Sequence, residues 1–62
     1  MNKENILKVK KFNYQGKLDN YQVTVKEKES EILYTVPLDD ANVDYQTVLQ
    51  WAADGNTIEE AD

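Results

Sequence analysis

The sequence predicts a single α+β domain: a three-stranded antiparallel β-sheet (a meander) with one C-terminal α-helix packed on one face. Three observations support this fold class. Segments in the first half alternate apolar and polar residues, a further alternating segment ends near the only proline, and a segment with helical periodicity comes last. Because sequential strands usually lie side by side, a meander covered by the helix is the simplest arrangement.

Alternation predicts the second strand at residues 20–27 and the third at residues 31–37. The apolar residues of each strand share one face: Tyr21, Val23 and Val25 on the second, and Ile32, Tyr34 and Val36 on the third. The polar stretch "KEKES" supplies the turn between them. Pro37 cannot donate a hydrogen bond within a sheet, so it marks the end of the third strand or an edge.

The first strand is predicted at residues 6–14, although its apolar pattern changes parity along the way. Leu7 and Val9 fall on one parity, and Phe12 and Tyr14 on the other. A β-bulge near Lys10–Lys11 would restore one apolar face, and a break in the strand is the alternative. The stretch "QGKLDN" that follows predicts a hairpin loop of about four to six residues.

The helix is predicted at about residues 43–54, with Asn42 as its N-cap and Gly55 as the left-handed residue after its last turn. Its apolar stripe, spaced i, i+3, i+4 and i+7, consists of Tyr45, Val48, Leu49 and Ala52. Trp51 lies about 60° from Val48, on the flank of this stripe. It either closes the edge of the helix–sheet contact or anchors a partner.

The composition removes most catalytic and metal chemistry. The 62 residues include no cysteine and no histidine, so disulfides, thiolate sites and the usual general base are absent. The adjacent acids Asp39–Asp40 and Glu59–Glu60 fall in turn-like and tail segments, where solvated carboxylates are common. The oxygen ligands of "DDANVD" lack the longer loop, the glycine and the terminal glutamate of an EF-hand. We therefore expect a protein that is not an enzyme and has no cofactor or metal.

Charge is divided unevenly along the chain. Residues 1–28 carry seven lysines against three acids, a net of +4, and residues 29–62 carry nine acids and no base, a net of −9. Two solvated faces that attract each other within the fold explain this division, and steering of a charged partner is the alternative. An acidic tail, residues 56–62, either drapes over the body through Ile58 or is free.

Two partner classes are not expected. No apolar run approaches the 18 or so residues of a membrane span, so we expect no membrane partner. A basic-aromatic pattern typical of single-strand binders is present in Lys8, Lys10, Lys11, Phe12 and Tyr14. The chain nevertheless has no arginine and a net charge of −5, whereas nucleic-acid-binding domains usually show a basic excess.

Residues 36–62, "VPLDDANVDYQTVLQWAADGNTIEEAD", resemble the C-terminal module of many small bacteriophage proteins and tail-fibre-associated chains. The matching positions are Pro37, Asp40, Asn42, Asp44, Tyr45, Gln46, Trp51, Gly55, Asn56 and Thr57. The family often has proline after the threonine, where this chain has Ile58. The resemblance implies a phage-encoded viral protein located in the host cytoplasm or the phage virion, and it implies no catalytic residues.

These observations together predict a phage accessory protein that acts by protein–protein contact, as a small virion- or tail-associated component. The alternative is an early inhibitor of a host defence or nucleic-acid-processing enzyme, acting through an acidic, DNA-mimicking surface. The predicted contact residues are Trp51, Tyr45, Asp44, Asp40 and Asp54. The partner is a phage virion or tail protein or a host enzyme. A homo-oligomer is also allowed, because opposite charges on the two halves permit head-to-tail stacking and a short sheet leaves edges to pair.

Overall fold

The computed structural model describes residues 1–61. A 3₁₀ turn (Lys3–Asn5) leads into three strands, β1 (Ile6–Tyr14), β2 (Lys17–Glu27) and β3 (Ser30–Pro37), and these are followed by one helix, α1 (Val43–Ala53). The strands form one antiparallel sheet in the order β1-β2-β3. The predicted α+β meander with a C-terminal helix is therefore confirmed. Neither helical segment in this part of the chain is long and apolar enough to cross a lipid bilayer.

Both hairpins close with two-residue connections. Gln15 and Gly16 join β1 to β2 with φ of 52° and 78°, and Lys28, which follows β2, has φ of 56°. Positive φ at both central residues, as in the first hairpin, is the signature of a type I′ turn, whose twist matches that of the flanking strands. The predicted loop of four to six residues was wrong because Lys17, Leu18 and Asp19 belong to β2. Asp19 was expected in the loop because aspartate is common in turns, but it lies within the paired strand β2.

A bulge at Leu7 decides which side chains of β1 reach the core. Ile6 pairs with Val25 and Lys8 with Thr24, so Leu7 is the extra residue on β1. The extra residue turns Ile6 and Val9 toward the same face, where both are buried, and leaves Leu7 exposed.

The predicted bulge near Lys10–Lys11 was therefore wrong in position. Both lysines pair regularly with β2, and β1 is continuous through them to Tyr14. Alternation from Val9 then carries Phe12 to the face opposite the core. A second register shift, between Phe12 and Asn13, places its extra residue on β2 at Asp19.

The core lies between one face of the sheet and α1, and it is built mainly from valine. Its buried residues are Ile6, Val9, Tyr21, Val23, Val25, Val36 and Val48, and Met1, Tyr34, Tyr45, Trp51 and Ile58 close around them. Ile32, predicted to lie on this face, is 37% exposed at the edge strand. Valine suits a pleated surface but contributes less apolar area than leucine or phenylalanine, so the half-buried ring of larger side chains completes the core.

The ends of α1 follow the capping pattern predicted for them. The Asn42 side chain accepts a hydrogen bond from the Tyr45 N–H at 3.0 Å. At the other end, Gly55 adopts φ of 106°, and its N–H donates to the Ala52 carbonyl at 3.1 Å. The Asn42 cap thus defines the start of the helix, and the left-handed Gly55 defines its end.

The rotation of α1 differs from the predicted stripe at one position. Val48 is the buried residue of the helix, with Tyr45 and Trp51 packed against the core on either side. Leu49, assigned to the stripe, is 42% exposed. The large indole of Trp51 takes the position beside the sheet, which turns Leu49 toward solvent.

The acidic tail lies against the free side of β1. The Lys11 N–H donates to the Glu59 carbonyl at 2.9 Å, and the Glu59 N–H donates to the Val9 carbonyl at 2.8 Å, in a parallel bridge. Ile58 packs on the core, so this segment drapes over the body, as the first alternative predicted. The predicted tail extends to residue 62, which lies outside the described residues.

Candidate interaction surface

The face of the sheet opposite α1 is a surface built from all three strands. Strand register and alternation place thirteen side chains on it, and we call them the open face: Lys8, Lys10, Phe12 and Tyr14 of β1, Lys17, Asn20, Gln22, Thr24 and Lys26 of β2, and Glu31, Leu33, Thr35 and Pro37 of β3. No helix of residues 1–61 packs on this face, since α1 covers the other one.

Large apolar side chains lie exposed on the open face. Leu33 and Tyr14 are each 61% exposed, and Phe12 is 44% exposed. Single exposed apolar residues are ordinary, but here three share one side of one small sheet. A shallow depression of about 380 Å³ runs from Lys8 across Thr24 to Leu33, so the face is not flat.

The open face is positively charged although the protein is acidic. It carries four lysines, Lys8, Lys10, Lys17 and Lys26, against the single carboxylate of Glu31, a net of +3 on a protein whose total is −5. The uneven charge along the sequence has thus become a difference between two sides of the molecule. Long lysine stems add apolar contact area around the exposed leucine and aromatic rings.

The opposite side of the molecule is acidic. Its carboxylates are Glu27, Asp39, Asp40, Asp44 and Asp54, and we call this set the acidic side. Asp39 and Asp40 precede α1, Asp44 lies in its first turn, and Asp54 is its C-cap. Glu27 joins them through Tyr34, whose hydroxyl donates to Glu27 Oε1 at 2.7 Å.

Tyr34 links Glu27 to the start of the helix electrostatically. The hydrogen bond to Glu27 raises the pKa of Tyr34 above its ordinary value of 10.0, with smaller contributions from burial and from the negative charges of Glu27 and Asp44. Removing the phenolic proton would place a third negative charge beside two carboxylates. The arrangement therefore favours the neutral tyrosine.

The two aromatic residues predicted to bind a partner are largely used within the fold. Tyr45 stacks on Tyr21 with ring centroids 6.1 Å apart and planes inclined by 16°. Trp51 is half-buried against the core, as expected if it closes the helix–sheet contact. A contact role for either ring remains a prediction, and it is limited to the edge that each ring leaves exposed.

Two of the three predicted acidic contact residues form ion pairs within the chain. Asp54 accepts a hydrogen bond from Lys3 Nζ at 2.8 Å, and Asp44 lies 3.6 Å from the amino group of Met1. Asp40 is exposed, and its backbone carbonyl accepts from Gln46 Nε2 at 2.6 Å. The fold therefore gathers these acids on one side, and Asp40 is the one whose carboxylate has no hydrogen-bond or ion-pair partner within residues 1–61.

The open-face residues Leu33, Thr35, Gln22 and Thr24 were absent from the predicted contact set. Their signal was present in the sequence, because they occupy the alternate parity of strands whose other parity is apolar. A lone tryptophan beside a helical stripe is a more conspicuous signal than this alternation. No three carboxylates within residues 1–61 come together as a group that could hold a metal ion.

Comparisons with models of protein families, with curated proteins and with solved structures found no match. Function is therefore inferred from the fold and from the two charged surfaces.

Proposed function

We propose that this is a non-enzymatic bacteriophage accessory protein that acts by protein–protein contact, as a small virion- or tail-associated component. The observation that carries the proposal is the open face, a sheet surface with no helix on it, where Leu33 is 61% exposed near Lys8 and Thr24, and Phe12 and Tyr14 are exposed farther along β1. Exposed apolar and aromatic side chains interspersed with polar and charged groups are common in protein interfaces.

The edges of the sheet support the same conclusion. The tail already pairs with β1, whereas the outer edge of β3 has no strand beside it within the described residues. An edge strand offers a row of backbone donors and acceptors to an added strand. Leu33 lies on this strand, so one partner can use both the edge and the open face.

The phage setting is supported by the resemblance of residues 36–62 to the C-terminal module of small phage proteins. That segment forms the helix, its caps and the tail, which together cover one face of the sheet. The module thus has a structural role that leaves the other face available for contact.

A photo-crosslinking amino acid placed at Leu33 tests the proposal in infected cells. We expect covalent adducts with one or a few proteins, and the same probe at Glu29, in the connection between β2 and β3, serves as the matched control. Absence of protein adducts at Leu33 would contradict the contact role. Mass spectrometry of purified particles tests the virion assignment, which repeated absence of the protein from particles would overturn.

A second candidate function uses the acidic side. The fold collects Glu27, Asp39, Asp40 and Asp44 near the start of α1, which supports an early inhibitor that imitates the charge of a phosphate backbone. Binding to a host nucleic-acid-processing enzyme would then weaken steeply with salt. An affinity that does not change between low and high salt would exclude this mechanism.

A further inference from the structure

We infer that the open face binds the acidic side of a second copy of this chain, so that copies stack head to tail. The inference rests on the proposed function and identifies the partner. It follows from the placement of two complementary surfaces on opposite sides of one small fold.

The two surfaces are complementary in charge. The open face has a net charge of +3, and the acidic side carries five carboxylates, of which Asp54 is paired with Lys3 and Asp44 lies beside the Met1 amino group. Because the sheet lies between α1, with its flanking acids, and the open face, one chain cannot bring the two surfaces together. A second copy can, and repulsion between like surfaces disfavours every other pairing of these faces.

The two surfaces are also complementary in their apolar groups. Leu33, Tyr14 and Phe12 are exposed on the open face, while Leu38, Val43 and Leu49, in α1 and the segment before it, are 39%, 72% and 42% exposed. Each surface therefore offers exposed apolar groups together with an excess of charge of one sign. Burying such groups against each other supplies the free energy that exposed ion pairs alone do not.

Within the chain itself, Lys11 of β1 already pairs with a carboxylate of an added segment. The tail lies beside β1 through two backbone hydrogen bonds, and Lys11 Nζ lies 3.0 Å from Glu60 Oε2. This contact involves the edge of the strand. The same strand presents Lys8 to the open face, where a neighbouring copy would bring further carboxylates.

The size of the surface sets the strength of the contact. Three strands about 4.8 Å apart, with a mean length of about 31 Å, give a face of about 450 Å² in projection, below the roughly 800 Å² per partner of a stable complex. The contact is therefore weak for a single pair. Since it joins two different surfaces, each pair of copies still has one unused surface of each kind, and the contact extends to further copies at high local concentration.

Two variants that each remove one surface test this inference. The open-face variant is Lys8→Glu with Lys17→Glu, and the acidic-side variant is Asp40→Lys with Gln50→Lys and Ala53→Lys. All five positions are exposed, and their side chains form no hydrogen bond or ion pair within residues 1–61. Lys28→Glu, in the connection between β2 and β3, is the control for a change of net charge, and circular dichroism confirms that every variant is folded.

Sedimentation velocity at low ionic strength measures the association. We expect the wild type and Lys28→Glu to show a weight-average sedimentation coefficient that rises with concentration and falls toward the monomer value in about 0.5 M salt. Each surface variant alone should remain monomeric. An equimolar mixture of the two should form a one-to-one dimer, because one intact open face then meets one intact acidic side.

The other outcomes overturn the inference in distinguishable ways. A wild type that stays monomeric at every concentration refutes stacking, and protein adducts at Leu33 would then show that the proposed contact function survives with a different partner. A mixture that fails to dimerise refutes the assigned pair of surfaces. Binding of an oligothymidylate that depends on Lys8 and Lys17, with no self-association, would instead assign the open face to nucleic acid.

Discussion

The rings of Tyr21 and Tyr45 stack with centroids 6.1 Å apart and planes 16° apart, which fixes α1 to the middle strand of the sheet. Tyr21 is buried and Tyr45 is half-buried. The stack gives the helix a defined position over a core composed mostly of short valine side chains. Two aromatic rings supply area and geometry that valine does not.

Removing this stack should destabilise the fold, and substitutions of the two tyrosines should not be additive in their effect on the free energy of unfolding. We expect Tyr45→Ala to lower the free energy of unfolding by about 2–3 kcal/mol, because a large half-buried ring leaves a gap beside the core. A cycle with Tyr21→Leu and Tyr45→Leu should give a coupling of about 0.5–1.5 kcal/mol. Urea titrations measure both values. Tyr14→Leu, at an exposed ring, is the control, and equal losses at Tyr14 and Tyr45 would contradict the role of the stack.

Substitutions of Trp51 distinguish two roles of its indole, packing within the fold and anchoring a partner. Trp51→Ala should lower the free energy of unfolding by about 2–3 kcal/mol, a large share of the stability available to a domain of this size. Trp51→Phe should retain most of the stability and leave the association through the open face unchanged. Thermal unfolding and sedimentation velocity check the two expectations. A Trp51→Ala variant of wild-type stability that loses all association would show that the indole serves as an anchor.

The fold class was predictable because alternation and capping are local signals. Val23 and Val25 indicate a half-covered strand, and Asn42 and Gly55 mark the two ends of the helix. The position of the bulge, by contrast, depends on pairing between strands and has no local signal in the sequence. Leu7 leaves the core only because Ile6 pairs with Val25, a register that the sequence of β1 alone does not specify.

The candidate surface was predictable in part. Lys8, Lys10, Phe12 and Tyr14 share the parity of one strand, so their common face follows from the bulge once its position is known. The pairing of Asp54 with Lys3 joins residues 51 positions apart, and no local pattern reveals it. That distance in sequence is why the pairing of Asp54 within the fold was not predicted.

The first hairpin offers a test of backbone conformation alone. Gly16 has φ of 78°, and a Cβ built there meets no atom within 4 Å. Gly16→Ala should therefore cost about 1–2 kcal/mol through the left-handed conformation and without any clash. Gln15→Asn should add about 0.5–1 kcal/mol, since Asn-Gly is the preferred type I′ pair. Thermal melts compare them, and an unchanged Gly16→Ala variant would show that the turn differs from the one described.

The raised pKa of Tyr34 leads us to expect that the folded protein loses stability at alkaline pH. The hydrogen bond to Glu27 raises the pKa of Tyr34 in the folded protein, so the folded state keeps the phenolic proton to a higher pH than the unfolded state does. The stabilising contribution is complete below the unfolded pKa of 10.0 and is lost as pH rises above it toward the folded pKa. Denaturation curves at about pH 8 to 11 should show this loss. Tyr34→Phe should remove that part of the pH dependence, and a variant with the same alkaline slope as wild type would contradict the assignment.

The tail provides a test of how the edge of β1 is protected. The Glu59 N–H donates to the Val9 carbonyl, and the Glu59 carbonyl accepts from the Lys11 N–H. Glu59→Pro removes the donor and disfavours the pairing geometry, so hydrogen exchange at the Lys11 amide should become faster by about tenfold or more. Glu60→Gln removes only the exposed ion pair with Lys11 and should change stability by less than about 0.5 kcal/mol. Because this substitution changes no residue of the open face or of the acidic side, the Glu59→Pro variant should still stack head to tail. Faster exchange throughout β2 and β3 as well would show that the tail supports the whole sheet and not one edge of it.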